Sequence, residues 1–397
     1  MRIERTLHTG RFLFALLPVC IVPVCILFFA GGVGAQQTSA PLTPERQQTL
    51  DKLKRQMEGM RNFDCPASGR TDLPQLVLAG LEEIDPVLVG THIVFSKAWL
   101  RHIGSGREIS RSQFTAFVRK MDSAYEAFAD LVGNTATSGR VIYIDLVDIQ
   151  GNAAAHAHVS RDIICVKHPP RWFWREITRY NSWNHIMLHE IAHMFAPPAI
   201  GWRACPESMA NLKVAYVLEK LDARFGSPEY RNGNLQLTRG RQYRLREFDK
   251  ALQNVRKEEI EPFAACCCGG SVFDYYLFGL VEEIGWEPYK KAFHSYLDPH
   301  FVPEYRYGGE RSHVRAVDFL DRLVHFSGSP HLLSNGPDQG NLLAVYEVTK
   351  TPRSLTTAGT SSSSASSPQA RTGRQPFGNA RPPRPSVNEG AERLNRL

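Results

Sequence analysis

His189-Glu190-Ile191-Ala192-His193 constrains this chain more than any other segment. Histidines four residues apart share one face of a helix a single turn apart, so their ring nitrogens can grip one metal ion. Glu190 then stands beside the metal's open position, where it can take a proton from water. The flanks agree with a helix. Trp183-Asn184-His185-Ile186-Met187-Leu188 enters the motif without Gly or Pro, and Pro197-Pro198 stops it after Met194-Phe195-Ala196. Ile186, Met187, Ile191, Met194 and Phe195 make the helix buried, which a chance match in a loop would not be.

A catalytic zinc wants three protein ligands and leaves a fourth position for water. Glu207 is the preferred third ligand, in Cys205-Pro206-Glu207-Ser208-Met209-Ala210-Asn211-Leu212. Pro206 suits the first position of a new helix, and a carboxylate in that first turn can face back to the histidines. Glu207 would also complement the helix dipole with no metal present. Glu219, one helix length on, is the rival ligand. No histidine follows His193 until His294, which favours a two-His, one-Glu set over three histidines. The expected chemistry is attack of water on a carbonyl carbon, with Glu190 as general base and later as proton donor to the leaving amine. An oxyanion-stabilising or substrate-contacting donor would come from Tyr275, Tyr276, His294, Tyr305 or His313, with Tyr276, His294 and His313 preferred.

The net charge of +7 dissolves when it is located: residues 1–35 carry +2, residues 351–397 carry +5, and the remainder sums to zero. Nucleic-acid binding by the folded part therefore has no support. Arg2, Arg5 and Arg11 precede an apolar run from Phe12 to Ala30 and a small-residue site at Val33-Gly34-Ala35. This is expected to be a cleaved secretory signal, with an uncleaved membrane anchor at residues 12–30 as the second option, and either places the catalytic part outside the cytosol. Beyond it lie Cys65, Cys165, Cys205, Cys266, Cys267 and Cys268, compatible with disulfides but with no pairing that spacing reveals. No Asn-x-Ser/Thr acceptor occurs.

Residues 36–88 look like a lead-in with a charged helix from Thr43 to Arg61. Strands are expected at Thr91–Phe95, Val141–Ile149 and His158–Val166, a helix at Ser112–Leu131, and then one long helix through the motif. Strands, a helix and an edge strand ahead of a metal helix describe the first half of a zincin, with an α+β fold. The last strand would pair with an extended peptide substrate. His156 and His158 are expected to line that edge or face water, and Trp172 and Trp174 to pack in the core. The charged helix Arg239–Ile260 reads as a solvated face, followed by helices at Phe273–Ile284, Pro288–Leu297 and Val314–Phe326. From Thr351 the Ser-, Pro- and Arg-rich tail is expected to be disordered.

From about Thr91 to Ser334 the chain resembles the enhancin-like zinc metallopeptidases, the family of viral enhancins and bacterial mucin-degrading peptidases. His189–His193 followed by Trp202 and by Glu207-Ser208-Met209-Ala210-Asn211-Leu212 carries the resemblance. So do Leu280-Val281-Glu282-Glu283-Ile284-Gly285-Trp286-Glu287-Pro288-Tyr289-Lys290 and Val317-Asp318-Phe319-Leu320-Asp321-Arg322-Leu323. Asn335-Gly336-Pro337 stands where the family has Trp-Gly. The resemblance implies a gluzincin catalytic domain over residues 89–350 with its cleft between about 89–200 and 201–350. It also implies zinc on His189, His193 and Glu207, Glu190 as base, and glycoprotein or mucin-type substrates. An aminopeptidase-type gluzincin and a non-catalytic glycoprotein-binding module are the alternatives; no Gly-Ala-Met-Glu-Asn-type segment precedes the motif.

Overall fold

The computed structural model describes residues 41–60, 72–134, 139–147, 154–159, 161–167, 169, 171–195, 206–226, 237–256, 272–298, 300–301, 305–307, 312–333 and 350–352. All of them belong to one compact unit that runs through Pro352. The expected signal or anchor, the Ser-rich tail beyond Pro352 and every cysteine discussed above except Cys165 lie outside these residues. No helix among the described residues is long and apolar enough to cross a membrane.

The fold is mixed α+β, with a small mixed sheet and many helices. Helices α1 (Pro44–Glu58) and α2 (Leu73–Leu81) precede β1 (Ile93–Phe95) and the long α3 (Arg111–Val132). Next come β2 (Ile142–Leu146), β3 (Ala155–His158), β4 (Ile163–Val166), α4 (Arg171–Thr178), α5 (His185–Met194) and α6 (Pro206–Lys220). The strands order β1-β2-β4-β3, with β1, β2 and β4 parallel and β3 antiparallel at the edge. β1, β2 and β4 are buried along their length, as continuous apolar strands must be when both faces are covered.

Two apolar clusters supply that cover. Leu50, Leu53 and Met57 of α1 pack with Val94, Tyr143, Ile163 and Cys165 on one face. Phe114, Phe117, Met121 and Phe128 of α3 pack on the other, with Phe95, Ile144, Leu188 and Ile191. The stretch expected as a mere lead-in is thus one wall of the sheet. α3 begins in a Ser110–Gln113 capping box and ends at Gly133, φ 77°. A Cβ at Gly133 would also come within 2.4 Å of the His294 ring.

The start of β1 hangs on one buried carboxylate. Asp122 of α3 accepts from Thr91 N–H at 2.8 Å, Thr91 Oγ1 at 3.0 Å and His92 N–H at 3.0 Å. Gly90 makes room for it, since a Cβ there would lie 2.5 Å from Asp122 Oδ2. Gly90→Ala must displace the carboxylate and orphan at least one amide, so it is expected to lower the unfolding free energy by about 2 kcal/mol in a urea titration.

Three expectations are corrected. The strand read as His158–Val166 shrinks to β4, with His158 closing β3 ahead of a turn in which buried Asp162 takes a positive φ of 58°. The edge facing outward is accordingly β3, and β4 is interior. The motif lies on a separate ten-residue helix, because α4 ends at Thr178 and Asn181 (φ 45°) turns the chain before α5 begins. The charged helix, α7 (Gly240–Arg256), follows the short hairpin of β5 (Arg224–Gly226) and β6 (Leu237–Arg239) and is not simply a solvated face. It buries Tyr243, Arg244 and Ala251 against its neighbours, and Arg244 bonds Glu219 of α6 at 2.6 Å and pairs with Glu282 of α8 (Val272–Ile284). α9 (Glu287–His294), β7 (Tyr305–Tyr307), α10 (Ser312–Ser327) and β8 (Lys350–Pro352) complete the described elements, β7 pairing antiparallel with β8.

Candidate metal site

Both ends of α5 are fixed by buried side chains. At its start, Asn184 accepts the Met187 N–H at 3.0 Å as the N-cap. Asn184 in turn donates to the carboxyl of Glu176 on α4, and Ser182 Oγ donates to the Glu176 carbonyl at 2.9 Å. Burial pushes the Glu176 carboxyl up from 4.5 to about 8. Between those values the folded chain holds a proton that the unfolded chain has lost, so raising the pH across that window removes stability. Thermal melts are expected to show a smaller decline from pH 5 to pH 8 for Glu176→Gln than for the wild type. Equal declines would exclude this role for Glu176.

At the other end, Lys213 of α6 donates to the carbonyls of Ala192 at 2.5 Å and Phe195 at 3.1 Å. Its side chain is buried, which pulls the ammonium down to about 7. Pro206 occupies the first position of α6, and Glu207 falls in the first turn. Buried Met209, Ala210, Leu212 and Val214 seat α6 in the core beneath α5.

With the two helices so placed, three side chains converge. His189, His193 and Glu207 each bring one ligand atom to within 4.8 Å of the others. His189 Nε2 lies 3.0 Å from His193 Nε2 and 2.9 Å from Glu207 Oε2, and His193 Nε2 lies 3.6 Å from Glu207 Oε1. His189 Nδ1 faces Asn211 Oδ1 at 2.8 Å. An amide oxygen only accepts, so the ring carries its hydrogen on Nδ1 and presents a lone pair at Nε2. That lone pair points at another imidazole nitrogen and at a carboxylate. Acceptors crowded this closely repel unless a proton or a cation sits among them, and the set of two imidazoles and a carboxylate can hold a metal ion.

The electrostatics point the same way. With no cation present, protons that His189 and then His193 share with the Glu207 carboxyl hold it far below the usual carboxylate range, against its burial, and a metal ion would take their place. Burial pulls the His189 imidazolium down, but its bond to Glu207 and the charges of Glu190 and Glu207 outweigh this and its pKa rises. His193 stays low, with burial the main cause. Glu190 is pushed up to about 7 by burial first, with the Glu207 charge adding to it and His189 opposing. The backbone of Ala157 on β3, beside the carboxylate, also opposes the rise.

That contact fits the sheet register. Lys167 N–H donates to the Ala154 carbonyl, which makes Ala155–Val166 and Ala157–Ile164 the pairs without mutual hydrogen bonds. Ala157 therefore turns its backbone groups away from β4, toward the side on which no strand pairs with β3 among the described residues. His156 and His158 stand together on this edge strand, ring centroids 4.7 Å apart, His156 exposed and His158 half-buried.

The other candidates are occupied elsewhere. Glu219, the rival ligand, bonds Arg244 and accepts from Trp286 Nε1 at 3.0 Å, so it braces α6 against α7 and does not join the imidazoles. Tyr276 is buried on α8, where it lines a cleft with Phe248, Tyr275, Gly279, Leu280, Glu283 and Leu332. Tyr275 stacks on Phe248 at 4.9 Å. His294 on α9 bonds the Asp130 carbonyl at 3.2 Å. The side chains of Tyr305, His313 and Trp172 lie outside the described residues, and Trp174 packs on Trp99 at 5.9 Å in the core as expected. Asn184, Glu176 and Lys213 had not been singled out. Lys213 was findable, as a lone charge inside the apolar run Leu212 to Leu218.

No family model matches the chain, and no curated protein matches it. Among solved structures, a functionally unknown conserved protein mutant from Bacillus anthracis str. Ames is similar, with a TM-score of 0.40 and 10% identity over 60% of this chain. The match spans 45% of that protein, and a likeness of this degree leaves the function to be argued from the site itself.

Proposed function

We propose that this chain is an exported zinc-dependent endopeptidase of zincin type that hydrolyses peptide bonds in proteins, O-glycosylated or mucin-like ones among them. The convergence of His189, His193 and Glu207 with the carboxylate of Glu190 in the adjoining position carries the reading. Two imidazoles and one carboxylate are a ligand set that zinc favours and that leaves a coordination position open. When bound there, zinc supplies Lewis acidity, which acidifies water and polarises a carbonyl oxygen.

The chain's own groups do the rest. Glu190, beside Ala157 of the edge strand, accepts a proton from the attacking water and returns it to the leaving nitrogen. The outward backbone groups of Ala155 and Ala157 give an extended substrate a strand to lie against. Asn211 keeps the His189 ring in the tautomer that exposes Nε2. Arg2, Arg5 and Arg11 ahead of the apolar run to Ala30 support export.

Elemental analysis of the purified chain and its action on casein and on a mucin test the proposal. Stoichiometric zinc with internal cuts is expected. Trimming from the amino end would mean an aminopeptidase, and zinc without turnover of either substrate would mean a binding module.

A further inference from the structure

The buried ammonium of Lys213 is not used by the chemistry above, yet it sits between the two helices that carry it. Its side chain is only 5% exposed, and both its hydrogen-bond partners are main-chain carbonyls, of Ala192 and Phe195. Moving a cation out of water into such a site is costly, and an apolar side chain of similar size would fill the same space at no such cost. Ala192 lies in the last turn of α5 and Phe195 is its C-cap, whose N–H donates to the Ala192 carbonyl at 3.2 Å, and at this end the helix dipole favours a positive charge. They also flank His193 in sequence, one residue before it and two after. The same lysine grows from α6, two residues beyond Asn211 and six beyond Glu207.

We propose that Lys213 is a positioning residue for the metal site, pinning the backbone on both sides of His193 to the helix that supplies Glu207 and Asn211. It fixes the separation of the two imidazoles from the carboxylate, and with it the size and symmetry of the cage a divalent cation meets. The inference rests on the proposed metal function of the triad. It adds a group that touches neither the cation nor the substrate and still sets how well the cation is held.

The full-length chain with Lys213→Met tests it, read by zinc affinity in competition with a chelator and by the visible absorption of the cobalt-substituted protein. Methionine fills the core, so circular dichroism and the melting point of the chelator-stripped form should stay close to the wild type. Zinc affinity should fall 10–100-fold, as it does when partners that orient ligands are lost, and the cobalt band should change in position or intensity. Lys213→Arg, which keeps donors at this position, should recover part of both losses. Zinc affinity within twofold of the wild type, with an unaltered cobalt band, would overturn the proposal. Should Lys213→Met fail to fold, Lys213→Gln decides by the same two readings. A wild-type chain that binds neither zinc nor cobalt would overturn the metal function and this role together, whereas equal binding by wild type and variant overturns this role alone.

Discussion

Glu190→Gln is expected to slow cleavage of a protein substrate by 10²–10⁴-fold while zinc content and melting temperature stay at wild-type values. Glutamine has the size of the glutamate side chain and leaves an oxygen beside the Ala157 backbone, as the carboxylate does in the wild type. What it cannot do is take a proton from water. Burial and the neighbouring Glu207 charge already lift the Glu190 carboxyl to about 7, where a group both gains and releases a proton near neutral pH. The loss should therefore appear in turnover and leave substrate affinity nearly alone. Initial rates on casein with parallel metal analysis decide the matter. A residual rate within tenfold of the wild type would remove Glu190 from the base role, and loss of zinc from the variant would show that it acts on the site's structure.

The metal helix was legible because its chemistry is local. A four-residue repeat of histidine, an apolar flank and two closing prolines need no knowledge of the rest of the chain. Glu207 was legible for a similar reason, since Pro206 marks the first turn of α6. What sequence left open was settled by partners far along the chain. Glu219 stood as the rival to Glu207, and only Arg244, twenty-five residues on, shows that it is claimed elsewhere. The charges of α7 are visible in sequence, but their burial is not, because it depends on Glu219 and Glu282 arriving from two other helices. The split of β3 from β4 turns on Asp162, a non-glycine residue in a left-handed conformation that no turn signal marks. α1 looked polar because only Leu50, Leu53 and Met57 with Thr49 face inward, a narrow stripe that still closes one side of the sheet.

Glu207→Ala is expected to weaken zinc binding on the order of 10³-fold, the largest effect on the metal of any single change outside the histidines. One ligand of three is lost, and a third of the ~12 kcal/mol typical of a protein zinc site is about 4 kcal/mol. The carboxylate also carries the negative charge that offsets the cation, and its strongly depressed pKa shows how firmly the imidazoles favour that charge. Alanine leaves His189 and His193 with their nitrogens 3.0 Å apart and nothing anionic facing them. The measurement is a melting curve with zinc and with chelator. A ligand that binds only the folded state stabilises by RT ln(1 + [L]/Kd), so zinc at 1,000 times the wild-type Kd adds about 4 kcal/mol to the wild type and less than 1 kcal/mol to the variant. Both should melt together in chelator, because the Glu207 side chain is partly exposed and its removal opens no core cavity. If zinc raised the melting temperature of Glu207→Ala as much as that of the wild type, the third ligand would lie elsewhere and the site would have to be rebuilt around another oxygen.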